Sequence, residues 1–416
     1  MFQKNRFCVS EMPLVGSLIL LFCVNGFATN VKHAVILVMD GARYIEETWG
    51  TVSHANIPKI DSLADFGAVL TQFRTKTNSG STPFSETNPG HARLTTGTVQ
   101  DIANDGVALP TQPSMFQYYR QQKGKDSLSG WVVVSKDKLW ILSNTSATAW
   151  RNLYRPAFNA GVNGDGTGGY REDNVTNPIV KQKLTIDHPA LMIINYKGPD
   201  AMAHAANFAG YIAAIKEVDG YVLDVWKTIQ GDPVLKDSTL LFVLNDHGRH
   251  TTDYTSHGDT CIGCRHIMCL VLGPHVKLNY ASDTVREQID VAPTIAKLMG
   301  FTMATATGVY MHELFDTLTT GTIAKGKSAE TDNHLKVSFN QFNHGLSISC
   351  KVSVAGAVTM KLFDLRGREI ATVLDKEMQP GSYAMQWNAA RLPGGAYYCS
   401  LKSGSFSETK KLAMVR

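Results

Sequence analysis

Thr87, Asp40, Asp200, His204, Asp246, His247 and His257 are the side chains of this sequence whose types and spacing can do chemistry together. Asp40 closes the apolar run VILVMDG, and Asp246 closes LFVLNDHG with His247 beside it. Asp200 and His204 stand four apart in KGPDAMAHAAN, which brings both to one side of a helical turn at metal-ligand spacing. His257 follows in SHGDT, within a glycine-containing segment short enough to fold back over the end of the preceding strand. Three carboxylates and three imidazoles from separate segments suit two zinc ions; manganese and iron accept the same donors. Ions about 4 Å apart let one activate a nucleophile while the other stabilises a leaving oxygen. Thr87, in TNPGHARLTTG, is the hydroxyl such a pair would act on, because a threonine is a poor nucleophile until a cation lowers its pKa. A helix beginning there also offers N–H groups and a positive dipole end to an anionic substrate.

These residues need a frame, and the apolar runs supply one. HAVILVMD, WVVV, ALMIINY, TLLFVLND and HIMCLVLG have the length and composition of buried strands. Between them IPKIDSLADFG, SMFQYYRQQKG, YIAAIKEVDGYVLDVWKTIQG and VREQIDVAPTIAKLMG carry apolar residues at helical intervals and end at glycine. The alternation predicts an α/β fold, a mostly parallel sheet with helices on both faces, over residues 29–320. In such sheets ligands bind beyond the carboxyl ends of the strands, where Asp40 and Asp246 fall. The glycine-rich segment 159–174 predicts a surface loop or a lid near a site.

The order Asp40 in VMDGAR, Thr87 in TNPGHARLTTG, Asp200 and His204 in PDAMAH, Asp246 and His247 in NDHG, and His257 in SHG resembles the alkaline phosphatase superfamily. Its nucleotide pyrophosphatase/phosphodiesterase branch has a similar T-x-P-x-H-x-x-L-x-T-G stretch, and the resemblance spans roughly residues 33 to 300. It implies that Asp40, Asp246 and His247 bind one zinc and Asp200, His204 and His257 the other, with Thr87 phosphorylated and then hydrolysed. Sulfatases share this fold but need a cysteine or serine in C/S-x-P-x-R for formylglycine formation; TNPGH stands there instead, which disfavours a formylglycine sulfatase.

A phosphate monoester carries more charge than a diester and benefits from extra cations on its non-bridging oxygens. Lys136 and Lys138 in VVVSKDKLW follow a strand and share a side if the chain stays extended. The segment resembles the K-D-R stretch of phosphate-irrepressible alkaline phosphatases, with Lys138 in place of the arginine, and Asn104 in DIANDG lies near where that group has an asparagine that contacts phosphate. The expected activity is hydrolysis of a small phosphorylated substrate, a monoester first and a diester or nucleotide pyrophosphate second. A surface binding protein on a hydrolase scaffold is the reading from another class.

The formal charge of +4 is spread over 40 basic and 36 acidic residues, without the long basic run that tracks nucleic acid, so no nucleic-acid partner is indicated. Residues 1–28 predict a signal peptide, with Lys4 and Arg6 before LVGSLILLFCV and Ala28 at its end. The apolar run is about half of the roughly 20 residues that span a bilayer, so the mature chain is expected to carry no transmembrane helix. Export permits disulfides: Cys261 and Cys264 in CIGCRH read as a local bridge or two free thiols, and Cys350 and Cys399 as a candidate pair. After the polar linker 321–334 helical patterns stop, and residues 335–416 predict a small antiparallel β-sandwich. That stretch, with LFDLRGRE, PGSY and LPGGAYY, resembles the type A sorting domain of type IX secretion cargo. It implies the type IX secretion machinery as partner, transit through the periplasm, and a final place outside the cell or on its surface.

Overall fold

The computed structural model describes residues 30–414 apart from 52, 76–84, 317–333, 341–344 and 390–391. The expected signal peptide, residues 1–28, and residues 321–333 of the expected linker lie outside the described residues.

An eight-stranded sheet forms the larger part of the molecule. Its strands run in the order Ala157–Ala160, Gly130–Val134, Leu191–Tyr196, His33–Met39, Thr239–Leu244, Cys269–Leu272, Gly67–Leu70 and Tyr280–Ser282. The first five pair parallel, while Cys269–Leu272 runs antiparallel to both neighbours. Every residue of the central strands is buried, as expected where helices cover both faces of a parallel sheet. One apolar layer holds Ile36, Val38, Ile193 and Phe242 with the helix Val291–Met299. The opposite layer holds Leu37, Met39, Ile194 and Val243 with the helix Phe208–Gly231. Successive strand residues thus feed opposite layers, the period-two consequence of the pleat.

Local chemistry sets the helix ends. Met115–Lys123 starts at a capping box between Ser114 and Gln117 and stops at Gly124 in the left-handed region. VREQIDVAPTIAKLMG departs from its expected length, because the α-helix covers only Val291–Met299. A short strand pair at Arg286–Glu287 and a 3-10 turn over Gln288–Asp290 take up the rest, fixed by a box between Glu287 and Asp290. Asp173–Asp187 is helical although it carries Pro178, and it buries Thr176, Val180 and Leu184 at four-residue spacing. The glycine-rich segment is a loop pinned beside the sheet: Gly169 N–H donates to Asp137 Oδ2 at 2.9 Å and Arg171 N–H to Ser135 O at 2.8 Å.

The C-terminal residues form two antiparallel sheets, one of His334–Asn340, Gly345–Val352 and Gly381–Asn388, the other of Glu369–Met378, Gly356–Phe363, Gly395–Ser403 and Phe406–Met414. Leu335, Ile348, Met360, Leu362, Cys399 and Leu401 are among the side chains of their shared apolar core. Cys350 and Cys399, like Cys261 and Cys264, are free thiols.

Candidate active site

Thr87 is the first residue of the buried helix Thr87–Thr96, and Glu86, not Thr87, stands at its cap. The helix packs directly on the end of the strand Thr239–Leu244: a Cβ on Gly90 would lie 2.5 Å from the Asp246 carbonyl oxygen, so only glycine permits this approach. Thr87 Oγ1 accepts a hydrogen bond from Lys136 Nζ at 3.0 Å. The same ammonium donates to Asp40 Oδ1 at 2.9 Å and Asp200 Oδ2 at 2.6 Å, which uses all three of its protons.

Lys136 reaches this place by a route other than an extended strand. The strand ends at Val134, Lys136 caps a 3-10 helix over Asp137–Ser143, and Lys138 lies within that turn. The two lysines still flank the start of the Thr87 helix. Lys138 Nζ donates to Asn104 Oδ1 at 2.8 Å, and the same oxygen accepts from the backbone N–H of Asn88 at 3.0 Å.

Beyond the strand ends, Asp40, Asp246 and His247 are fully buried and Asp200 nearly so. His247 Nε2 lies 3.5 Å from Asp40 Oδ1, 3.6 Å from Asp246 Oδ2 and 4.0 Å from Asp200 Oδ1. The His257 ring stacks on His247 with centroids 3.9 Å apart, and His257 Nδ1 sits 2.8 Å from the Ser85 carbonyl oxygen. His204 stands at the exposed rim, its Nε2 3.3 Å from Asp200 Oδ1 and 3.1 Å from His257 Nε2. All the sequence-predicted ligands therefore gather beside Thr87. Their spacing groups Asp200 with His247 and His257, and Asp40 with His91 and Asp246.

The donor set suits a divalent cation. Asp246 Oδ2 and His247 Nε2 are buried without a hydrogen-bond partner, an expensive arrangement for a carboxylate and an imidazole unless a cation satisfies them. Three buried carboxylates also face one another with Lys136 and Arg249 as their fixed positive partners. Burial alone would raise the Asp40 and Asp200 carboxyls, but Lys136 together with His247, and for Asp200 also His204 and Arg249, outweighs it and holds both below the ordinary carboxylate range. Burial opposes the Lys136 charge as well, yet Asp200 and Asp40 hold its ammonium above its usual value. His257 is driven down to about 2 by burial and by His247, so it stays a neutral imidazole with a lone pair to offer.

Several residues here carry no sequence motif that announces them. Arg249 is fully buried and its guanidinium binds the Asp200 carboxylate and, at 2.8 Å, the Gly41 carbonyl oxygen. Asn195 Nδ2 donates to Asp40 Oδ2 at 2.7 Å and lies 3.1 Å from His91 Nε2. Tyr170, from the glycine-rich loop, covers Lys136 with its ring centroid 5.8 Å from Nζ.

A protein-family model described as Sulfatase matches residues 32–301. A second, described as Secretion system C-terminal sorting domain, matches residues 331–415, which indicates export by that system to the outside or the surface of the cell. No curated protein sequence matches the chain. Among solved structures, the phosphonate monoester hydrolase of Agrobacterium radiobacter aligns with a TM-score of 0.51 at 12% identity, covering 86% of this chain and 90% of that one. BT1596, a 2-O GAG sulfatase, gives 0.50 at 11% identity, covering 91% of this chain and 85% of that one. BT4656, solved with D-glucosamine-2-N,6-O-disulfate, gives 0.50 at 10% identity, covering 77% and 88%. At these identities the likeness is one of fold. Among the described residues no helix is long and apolar enough to cross a membrane.

Proposed function

The chain belongs to the sulfatase family, and from that membership together with the site we propose that it is an exported, metal-dependent phosphoesterase that hydrolyses phosphate monoesters through Thr87. The observation that carries the reading is the Thr87 hydroxyl, at a helix start, 3.0 Å from a buried ammonium and beside a nest of carboxylates and imidazoles whose Asp246 Oδ2 and His247 Nε2 lack a hydrogen-bond partner. A threonine in TNPGH, where a formylglycine sulfatase needs C/S-x-P-x-R, supports phosphoryl over sulfuryl transfer.

Asp40, Asp246 and His247 on one side, and Asp200, His204 and His257 on the other, would hold two zinc ions, which when bound supply Lewis acidity to the hydroxyl and the leaving oxygen. Thr87 Oγ attacks phosphorus in line and gives up its hydroxyl proton, the P–O bond to the ester oxygen breaks and that oxygen takes up a proton, and water then cleaves the phosphothreonine, releasing inorganic phosphate and regenerating the hydroxyl. Lys138 and Asn104, at the helix start, offer N–H donors to the non-bridging oxygens. Arg249 and Asn195 position the carboxylates they touch.

A diester reading draws on one observation: the three bonds of Lys136 to protein atoms leave that ammonium none to give a third charged oxygen. Rates on an aryl phosphate monoester, the matching diester and the aryl sulfate, each with and without added zinc, decide among them. A zinc-dependent monoester rate at least about tenfold above the diester is expected, because each fixed hydrogen bond to a charged oxygen contributes about 1.5–3 kcal/mol. A faster diester or sulfate reaction overturns the proposal.

A further inference from the structure

Cys261 and Cys264 have the C-x-x-C spacing of half a zinc site, and two more donors meet them from the same loop. His250 Nδ1 lies 3.4 Å from Cys261 Sγ and 3.6 Å from Asp259 Oδ2. The ligand atoms of His250, Asp259, Cys261 and Cys264 all fall within 4.8 Å of one another. A tetrahedral zinc with Zn–S of about 2.3 Å and Zn–N or Zn–O of about 2.0–2.1 Å separates its donors by about 3.3–3.8 Å, the range of those two distances. We propose that these four residues form a structural zinc site, separate from the cluster around Thr87, that staples the loop carrying His247, Arg249 and His257.

Three features prepare it. The Cys264 N–H donates to Cys261 Sγ at 3.3 Å, an amide aimed at the sulfur that a bound metal turns into a thiolate. Asp259 Oδ1 accepts from the Cys261 N–H at 2.9 Å, which leaves Oδ2 facing His250. The helical turn Ile262–Arg265 rests on the backbone of residues 248–251: Gly248 N–H donates to Cys264 O at 2.9 Å, and a Cβ on Gly263 would stand 2.4 Å from the Arg249 carbonyl oxygen. Two sulfur donors select zinc over calcium or magnesium, and binding releases both thiol protons. Four ligands drawn from residues 250–264 close the loop just after His247 and Arg249 and across His257. Cys269, Cys350 and Cys399 belong to no such donor group among the described residues.

Cobalt reports on this site independently of catalysis, because thiolate ligation gives a near-ultraviolet charge-transfer band that oxygen and nitrogen ligands do not. Full-length protein, stripped of metal and loaded with Co2+ under reducing conditions, is expected to show the band. It is lost in Cys261→Ser and in Cys264→Ser and kept in Asp246→Asn, and native mass spectrometry of zinc-loaded protein shows one metal fewer per chain in the cysteine variants. The wild-type spectrum stands as a test even if a cysteine variant fails to fold. Absence of the band in wild-type protein, its survival in Cys261→Ser, or a Cys261–Cys264 disulfide in peptide maps of the exported protein overturns the proposal.

Discussion

In the large sheet, buried polar and charged residues collect at or just past the strand ends, where Asp40, Lys136, Asn195, Asp246 and His247 are shielded from solvent. In the C-terminal sheets Ser403 is the single buried residue among the described residues outside an apolar core of Leu, Ile, Val, Met, Cys, Ala389 and Tyr397. Burying a charge costs free energy that packing alone does not return. The first region retains its charges because they answer one another beside Thr87, and the second is built to fold and be recognised. A change in the first should therefore alter chemistry, and a change in the second should alter stability or export.

The largest break in that contrast is expected from metal removal. Exhaustive chelation should lower turnover of an aryl phosphate by at least about 10³-fold, since the proposed mechanism draws both nucleophile activation and leaving-group stabilisation from the cation. Zinc should restore it, with the apolar C-terminal core unaffected in near-ultraviolet circular dichroism. Next comes the charge beside Asn104: Lys138→Ala, which removes one donor from the helix start, should cost about 10²-fold in kcat with little change in melting temperature.

Lys136→Met sharpens the contrast through pH. Asp40 and Asp200 titrate below the ordinary carboxylate range in the metal-free fold, so their contribution to stability is present above about pH 4 and fades as pH falls below it. Lys136 titrates above its ordinary value, so its contribution is present below about pH 10.4 and fades as pH rises through the folded value. Without the ammonium, burial raises both carboxyls above their unfolded value and their contribution reverses sign, so the acid limb of a melting curve of metal-free protein should shrink and move to lower pH, with stability lost as pH rises. An unmoved limb contradicts the pairing.

The smallest effects on chemistry belong to the C-terminal sheets. Leu362→Ala, in their core, should destabilise that region by about 2–5 kcal/mol while kcat stays within about twofold, the scatter of substitutions remote from a site. A chain ending at residue 330 should keep the same kcat and fail to leave the cell, which enzyme assays of cell fractions and medium would detect.

The sequence carried the frame in its period. Apolar runs ending in Asp40 and Asp246 mark both strands and the ends where the buried polar cluster gathers, because a parallel sheet buries whole runs and leaves room for polar groups after them. Asp173–Asp187 is hard to read, since Pro178 interrupts it and exposed Val175 and Ile186 blur the inward stripe of Thr176, Val180 and Leu184. Lys136 and Lys138 were found by type, but the 3-10 turn that aims them was not, because one turn leaves no periodicity. Asn195, inside ALMIINY, has a legible signal after the fact: an amide in an otherwise apolar strand needs a buried partner, and Asp40 is that partner. Arg249, from an aperiodic loop, has none; His250 reads as a near-site histidine, but no spacing ties it or Asp259 to Cys261 and Cys264, so that donor group appears only with the fold.

The central claim is that the buried polar cluster exists to make Thr87 a nucleophile, and Thr87→Ala tests it most directly. With zinc content matched to wild type by mass spectrometry, the account predicts aryl phosphate turnover lower by about 10³-fold or more, the scale of losing an activated nucleophile. Turnover near the wild-type rate from a fully metallated Thr87→Ala protein would contradict it.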